Sequence, residues 1–189
     1  CLYCGFSRDI SRDELKRRIA DNALPEVLRR VNVKAGDTVF IPAGTIHAIC
    51  RGIVVAEVQQ SSNVTYRVYD YNRRGADGKL RPLHVEKAVD VINFKAFEDH
   101  TNTGTFAAVA GGRMRRLTGC KYFGCRLLDL DGTYSEENKI SFTALNVLKG
   151  EGKADGKPFK AGDSFFVPCG EKFTLEGKAE IVLTTEGKA

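Results

Sequence analysis

Apolar and polar positions along this chain recur mostly with the period of a β-strand. Residues 38–41 are β-branched and aromatic, and residues 53–59 form an apolar run, so both read as strands. Residues 64–71 alternate, which sets Tyr66, Val68 and Asp70 on one side and Thr65, Arg67, Tyr69 and Tyr71 on the other. Residues 1–6 read as the tail of a strand. Helical signals are fewer. Ser11 can cap a helix, Glu14 three residues on completes a capping box, and Ile10 with Leu15 can form a hydrophobic staple. That helix should stop near Asp21-Asn22, and Leu24-Pro25-Glu26 should restart a short one reaching Arg29 or Arg30. Val85, Ala88, Val89 and Ile92 repeat at helical spacing within residues 83–92. After a polar stretch at 95–105, strands follow near 106–109, 120–130, 139–148, 164–167, 172–175 and 180–184. Asp131-Gly132, Glu151-Gly152 and Asp155-Gly156 punctuate them as hairpin turns.

One pattern occurs twice. Lys34-Ala35-Gly36-Asp37 opens the first copy, a strand follows, Pro42-Ala43-Gly44 breaks it, and His47 stands just past the break. Lys160-Ala161-Gly162-Asp163 opens the second, Pro168-Cys169-Gly170 breaks it, and Phe173 replaces the histidine. A repeat of this kind implies two similar units. The expected division is 1–94, a linker at 95–105, and 106–189, with a helical insertion at about 11–30. His47, held at a strand end beside a rigid turn, is placed to ligate a metal; the second unit should be metal-free.

Two further residues carry candidate chemistry. Glu57 lies inside an apolar run, where a charge is costly unless paired, so it belongs in a pocket or on a wet face. Arg67, flanked by aromatics, could hold an anion through its bidentate donors or could be an ordinary surface arginine. His84 reads as a cap or surface residue, and His100 as exposed in the linker.

Composition narrows the class. An apolar fraction of 42% with 28% charged residues suits a globular chain, and 19 glycines favour an all-β architecture. No apolar stretch approaches the roughly 20 residues that span a bilayer, and residues 1–30 show no basic-then-apolar leader. The net charge of +5 is compatible with an anionic ligand, though mild charge is more often a matter of solubility. Arg113, Arg115 and Arg116 lack interleaved aromatics and read as a solvated edge rather than a nucleic-acid site. The six cysteines make no framework; they read as reduced thiols of a cytosolic protein.

The spacing G-x5-P-x-G-x2-H at 36–47 resembles the second motif of the cupin β-barrels. A narrower likeness lies in four blocks: Ile41-Pro42-Ala43-Gly44-Thr45-Ile46-His47-Ala48-Ile49, Glu57-Val58-Gln59-Gln60-Ser61-Ser62, Thr65-Tyr66-Arg67-Val68-Tyr69-Asp70-Tyr71 and Leu83-His84-Val85-Glu86-Lys87-Ala88. In order and spacing they resemble the bacterial type I mannose-6-phosphate isomerases. The resemblance implies a mainly β fold of two cupin-like jelly-roll barrels, the first incomplete at its N-terminus, with a small helical insertion. It implies a zinc-dependent aldose–ketose isomerase that interconverts mannose 6-phosphate and fructose 6-phosphate in the cytoplasm. It matches His47 to the family's last zinc ligand and Arg67 to its catalytic arginine.

The chemistry suits those residue types. Isomerisation moves a proton between C1 and C2 through an enediol(ate), and charge develops on oxygen. A metal can polarise the oxygens, a guanidinium can stabilise the charge, and a base must reach the proton. Glu57 and a metal-bound water are both candidates for that base. The resemblance also carries a departure. The family's other ligands, a Gln, a His and a Glu, match nothing before His47, and residues 1–46 hold no histidine. The expectation is a C-terminal portion that holds zinc poorly and is inactive by itself. A non-catalytic cupin module binding a sugar or sugar phosphate is the alternative. No nucleic-acid or membrane partner is expected, and the oligomeric state stays open.

Overall fold

The computed structural model describes all residues except 99, 100, 103, 188 and 189, so the expectation for His100 lies outside the described residues. The chain is mainly β, with 43% strand and 9% helix. It divides into two compact units, Cys1–Val55 with Ser61–Thr101, and Ala56–Gln60 with Asn102–Ala189.

The first unit contains β1 (Leu2–Phe6), α1 (Arg12–Ala20), β2 (Leu28–Val31), β3 (Thr38–Val39), β4 (His47–Ile49) and α2 (Val85–Val89). β1 is the middle strand of an antiparallel three-stranded sheet, with β2 on one side and β4 on the other. The sequence signals for α1 hold closely. Ser11 Oγ accepts from the Glu14 N–H at 3.1 Å, and the helix closes at Asp21, where Asn22 turns left-handed with φ 58°. Ile10 and Leu15 are both buried, beside Phe6, Leu24, Val27 and Val68. The capping box is only half made. The Glu14 carboxylate turns instead to Arg8 at 2.6 Å and Arg18 at 3.4 Å, and these guanidiniums hold its pKa below the usual carboxylate range. Ser11→Ala should therefore lower unfolding free energy by about 1 kcal/mol, read as a shift in the urea midpoint, with no compensation from Glu14.

Two expectations for residues 1–94 need correction. The second short helix is only a 3-10 turn at Leu24–Glu26, after which Leu28–Val31 pairs with β1, so the helical segment ends before residue 28. Residues 53–60 and 62–70 carry no strand; Val54 is fully exposed and Val64 largely so. Strand propensity spans only about 1 kcal/mol and is realised through pairing, and among the described residues no strand offers these segments a ladder. Within the stretch read as a linker, two residues pack on the first unit. Ala96 bridges Phe6, and Phe97 is buried with Leu2, Cys4 and Val31. β5 (Thr101–Asn102) follows.

The second unit contains β6 (Ala107–Val109), β7 (Gly112–Gly119), β8 (Phe123–Glu137), β9 (Thr143–Ala154), β10 (Lys157–Lys160), β11 (Ser164–Val167) and β12 (Lys172–Glu186). They form one antiparallel sheet in the order β10-β9-β12-β8-β7-β6, and β11 also pairs with β9. β12 is its spine. It pairs with β8 on one side and β9 on the other, and it places Leu175, Ile181 and Leu183 in a core with Leu128, Leu130, Leu145 and Phe173.

The expected turns at Asp131-Gly132 and Glu151-Gly152 are absent, because β8 and β9 run straight through them. Gly132, Gly177 and Gly152 instead lie in register across three adjacent strands. Glycines in strand interiors mark bends and close backbone approach rather than chain reversal. Asp155-Gly156 does reverse the chain, with φ 47° and 78°, the left-handed pair that a tight hairpin requires. The basic run 113–116 is a solvated edge only in part, with Arg113 and Arg116 exposed. Arg115 is buried in β7, and Arg113 and Arg115 lie over the Phe106 ring at 4.5 and 5.3 Å. Stacked guanidiniums bury their stems along apolar surface, which charge counting alone does not see. No disulfide joins any of the six cysteines.

Candidate functional site

The two copies of the repeated pattern build the same turn. Asp37 accepts from the Lys34 N–H at 2.9 Å, and Asp163 accepts from the Lys160 N–H at 2.8 Å. Gly36 and Gly162 have φ 91° and 95°, and Gly44 and Gly170 have φ 83° and 84°. The Pro42 carbonyl accepts from Thr45, as the Pro168 carbonyl does from Glu171. A strand begins immediately after each break, at His47 and at Lys172. At the matching position Phe173 is 2% exposed in its core, whereas His47 is exposed. The fold thus aims one side chain inward in the second copy and leaves the same position accessible in the first.

The imidazole of His47 is oriented. Its Nδ1 lies 3.0 Å from the Thr45 carbonyl. A carbonyl only accepts, so Nδ1 carries a proton, and in the neutral ring Nε2 keeps the lone pair. This is the arrangement in which a histidine ligates a metal. Across the β1–β4 pair, His47 faces Cys4, which is fully buried. Among the described residues no group of three His, Cys, Asp or Glu side chains could hold a metal ion. A zinc ion wants three or four protein ligands, so these residues alone do not fit it.

Arg67 is half-buried. Its N–H donates to His84 Nδ1 at 3.1 Å, its carbonyl accepts from the His84 N–H at 2.7 Å, and its Nη1 donates to the Pro82 carbonyl at 3.4 Å. Three residues on lies a group that sequence reasoning missed. Asp70 is buried at 8% exposure; Arg73 Nη2 donates to it at 2.5 Å, and Arg81 Nε lies 3.4 Å away. The hydrogen bond from Arg73 holds the Asp70 carboxyl below the usual range against the opposing effect of burial, and the charges of Arg73, Arg81 and Arg67 add to it. The Asp70 carbonyl closes a turn on the Arg73 N–H through Tyr71 and Asn72, both left-handed at φ 54° and 52°. Such backbone is rare for a tyrosine and persists only where surrounding contacts over-determine it. One signal was available: the alternation at 64–71 had put Asp70 beside the apolar Val68.

Glu57 is exposed, in a segment grouped with the second unit. The apolar strand that made its charge conspicuous does not form. No hydrogen bond joins His47 to Arg67 among the described residues; each has its own backbone anchor.

Known proteins match this chain closely. The family model for the mannose-6-phosphate isomerase cupin domain matches residues 114–186. Mannose-6-phosphate isomerase ManA of Bacillus subtilis is 38% identical over 179 residues, covering 92% of this chain and 56% of the relative. A mannose-6-phosphate isomerase of Streptococcus mutans is 30% identical over 91% of the chain and 55% of the relative. The chain thus spans a little over half the length of these curated relatives. The crystal structure of the mannose 6-phosphate isomerase from Bacillus subtilis superposes with a TM-score of 0.86 at 31% identity, over 97% of this chain and 59% of that one. The structure of a putative mannosephosphate isomerase from Archaeoglobus fulgidus, at 20% identity and a TM-score of 0.67, shares the fold. Along nearly its whole length this chain is thus similar to a little over half the length of bacterial mannose-6-phosphate isomerases, consistent with a cupin portion of that family.

Proposed function

We propose that this chain forms part of an aldose–ketose isomerase that interconverts mannose 6-phosphate and fructose 6-phosphate. The observation that carries the reading is the 38% identity to a mannose-6-phosphate isomerase over 92% of the chain. In this reading the two units are cupin-like barrels, residues 1–94 and 106–189 joined by 95–105, with the α1 segment inserted in the first. The protein works in the cytoplasm, on a small sugar phosphate; no helix among the described residues is long and apolar enough to cross a membrane.

The reaction transfers a proton between C1 and C2 of the sugar. As it leaves carbon, negative charge collects on the neighbouring oxygen of the enediolate. Arg67 is the catalytic residue that answers that charge. Its guanidinium is planar, permanently charged and already oriented, so it needs little reorganisation as the charge appears. Glu57 is a candidate for the base, and its free carboxylate is the only support for that role. His47 is the one metal ligand that we assign on this chain, with Nε2 as the donor atom. The described residues do not complete a zinc shell, so what this chain brings to the reaction is the charge-stabilising guanidinium of Arg67, with Glu57 as the candidate base.

The test uses the protein expressed from its complete gene and given mannose 6-phosphate. Steady formation of fructose 6-phosphate is expected. Saturable binding of the sugar phosphate without turnover would replace the enzyme with a sugar-phosphate-binding module.

A further inference from the structure

His84 lies outside every role assigned so far, yet it is the residue that holds Arg67. Residues 62–70 carry no ladder, so the backbone of Arg67 has no neighbouring strand to fix it. Both of its peptide groups go to one residue 17 positions later: the His84 N–H donates to the Arg67 carbonyl at 2.7 Å, and the Arg67 N–H donates to His84 Nδ1 at 3.1 Å. In an ordinary antiparallel hydrogen-bonded pair, two residues exchange N–H···O bonds in both directions. Here only one direction is made by backbone.

The reason lies in α2. The His84 carbonyl, which would complete the exchange, instead accepts from the Ala88 N–H at 2.9 Å and so begins the helix. The imidazole takes over as acceptor. His84 therefore opens α2 with its carbonyl and closes a rung on Arg67 with its ring. Its side chain makes no cap bond to the helix, so the ring is committed to Arg67. The head of Arg67 is tied to the same segment, through the Pro82 carbonyl. Tyr66 flanks the imidazole, with ring centroids 6.3 Å apart. Backbone and guanidinium of Arg67 are thus both referred to residues 82–84 and, through Ala88 and Val89, to the buried cluster around Phe6 and Leu15.

We propose that His84 is the positioning residue for Arg67: its unprotonated Nδ1 accepts the Arg67 amide and sets where the guanidinium points. This deepens the functional reading above and rests on it for its kinetic consequence. Nδ1 faces an N–H, so the ring must present a lone pair there, and in the neutral ring the proton sits on Nε2. Catalytic geometry is sensitive to such anchors, since a misplacement of about 1 Å can cost about 10²-fold in rate.

The test compares His84→Ala, His84→Asn and His84→Ser with Arg67→Ala, in the protein expressed from its complete gene. The readouts are kcat and KM for mannose 6-phosphate, thermal unfolding, and amide exchange at Arg67. His84→Ala should lower kcat by about 10- to 100-fold while KM stays within about threefold. His84→Asn should recover most of kcat, because its amide oxygen reaches the place of Nδ1. His84→Ser can cap α2 as well as asparagine does but is too short for Arg67, so its kcat should stay low. Arg67 amide protection should be lost in the Ala and Ser variants and kept in the Asn variant, whether or not there is turnover. Equal recovery by Ser and Asn would reduce His84 to a helix cap and overturn the proposal. So would wild-type protection of the Arg67 amide in a folded His84→Ala protein. Normal turnover in Arg67→Ala with the expected exchange pattern would instead sink the catalytic reading of Arg67 and leave the anchoring intact.

Discussion

Arg67→Ala is expected to lower kcat for mannose 6-phosphate by about 10²- to 10³-fold, the loss usual when one preorganised donor is removed from a developing oxyanion. Arg67 is half-buried, and its segment is held by His84 and by the Asp70–Arg73–Arg81 group. Little of its alignment has to be created during the reaction. Arg67→Lys should recover only part of the loss, because an ammonium is a point charge without the planar fork. The fall should appear in kcat rather than in KM, since the interaction strengthens as charge develops. Circular dichroism should show an unchanged fold, because among the described residues the Arg67 side chain makes only one long hydrogen bond, to Pro82. A kcat within about twofold of the parent in a folded variant would remove Arg67 from the chemistry.

Gly177→Ala is expected to destabilise the second unit by about 3 kcal/mol or more. Two costs add. Gly177 has φ 139°, a region an alanine enters only with strain of about 1–3 kcal/mol. A Cβ there would stand 2.6 Å from the Glu151 carbonyl oxygen and 2.7 Å from Gly152 Cα, and forcing backbone apart in a packed sheet costs about 1–3 kcal/mol. Neither neighbour is a flexible side chain that could step aside. Gly156→Ala is the control. It too has positive φ, at 78°, but a Cβ there meets nothing within 4 Å, so only the conformational cost of about 1 kcal/mol applies. Denaturant midpoints of both variants, followed by tryptophan-free far-UV dichroism, separate the two costs. Equal losses would show that the glycine row is not closely packed.

These glycines also show where local reading fails. Asp131-Gly132, Glu151-Gly152 and Asp155-Gly156 look alike as dipeptides, yet only the last turns the chain. Whether an acidic-Gly pair reverses or bends depends on the strands beside it, and Gly132 and Gly152 each sit opposite Gly177. Arg115 gives the same lesson for charge, since it is buried with its guanidinium over the Phe106 ring.

The site was legible in unequal parts. His47 could be picked out because everything that places it is local: a turn, a proline–glycine break and a strand start, reproduced with nearly the same dihedrals in both copies. Arg67 could be singled out from its aromatic neighbours and the family likeness, but its anchor could not. His84 lies 17 residues away and read as an ordinary cap. Asp70 likewise became a focus only when Arg73 and Arg81 closed around it.

By itself the sequence determined the short-range features: the cap at Ser11, the end of α1 at Asp21, the doubled turn, the strand β11, and a family likeness carried by four ordered blocks. Each depends on residues within a few positions of one another, where dihedral preference and a single hydrogen bond decide the outcome. Only the tertiary structure decided which β-prone segments become strands, which glycines bend rather than turn, and what holds Arg67 in place. Those depend on partners far along the chain, and a strand or an anchored side chain exists only where the other half of its hydrogen bonds is brought to it.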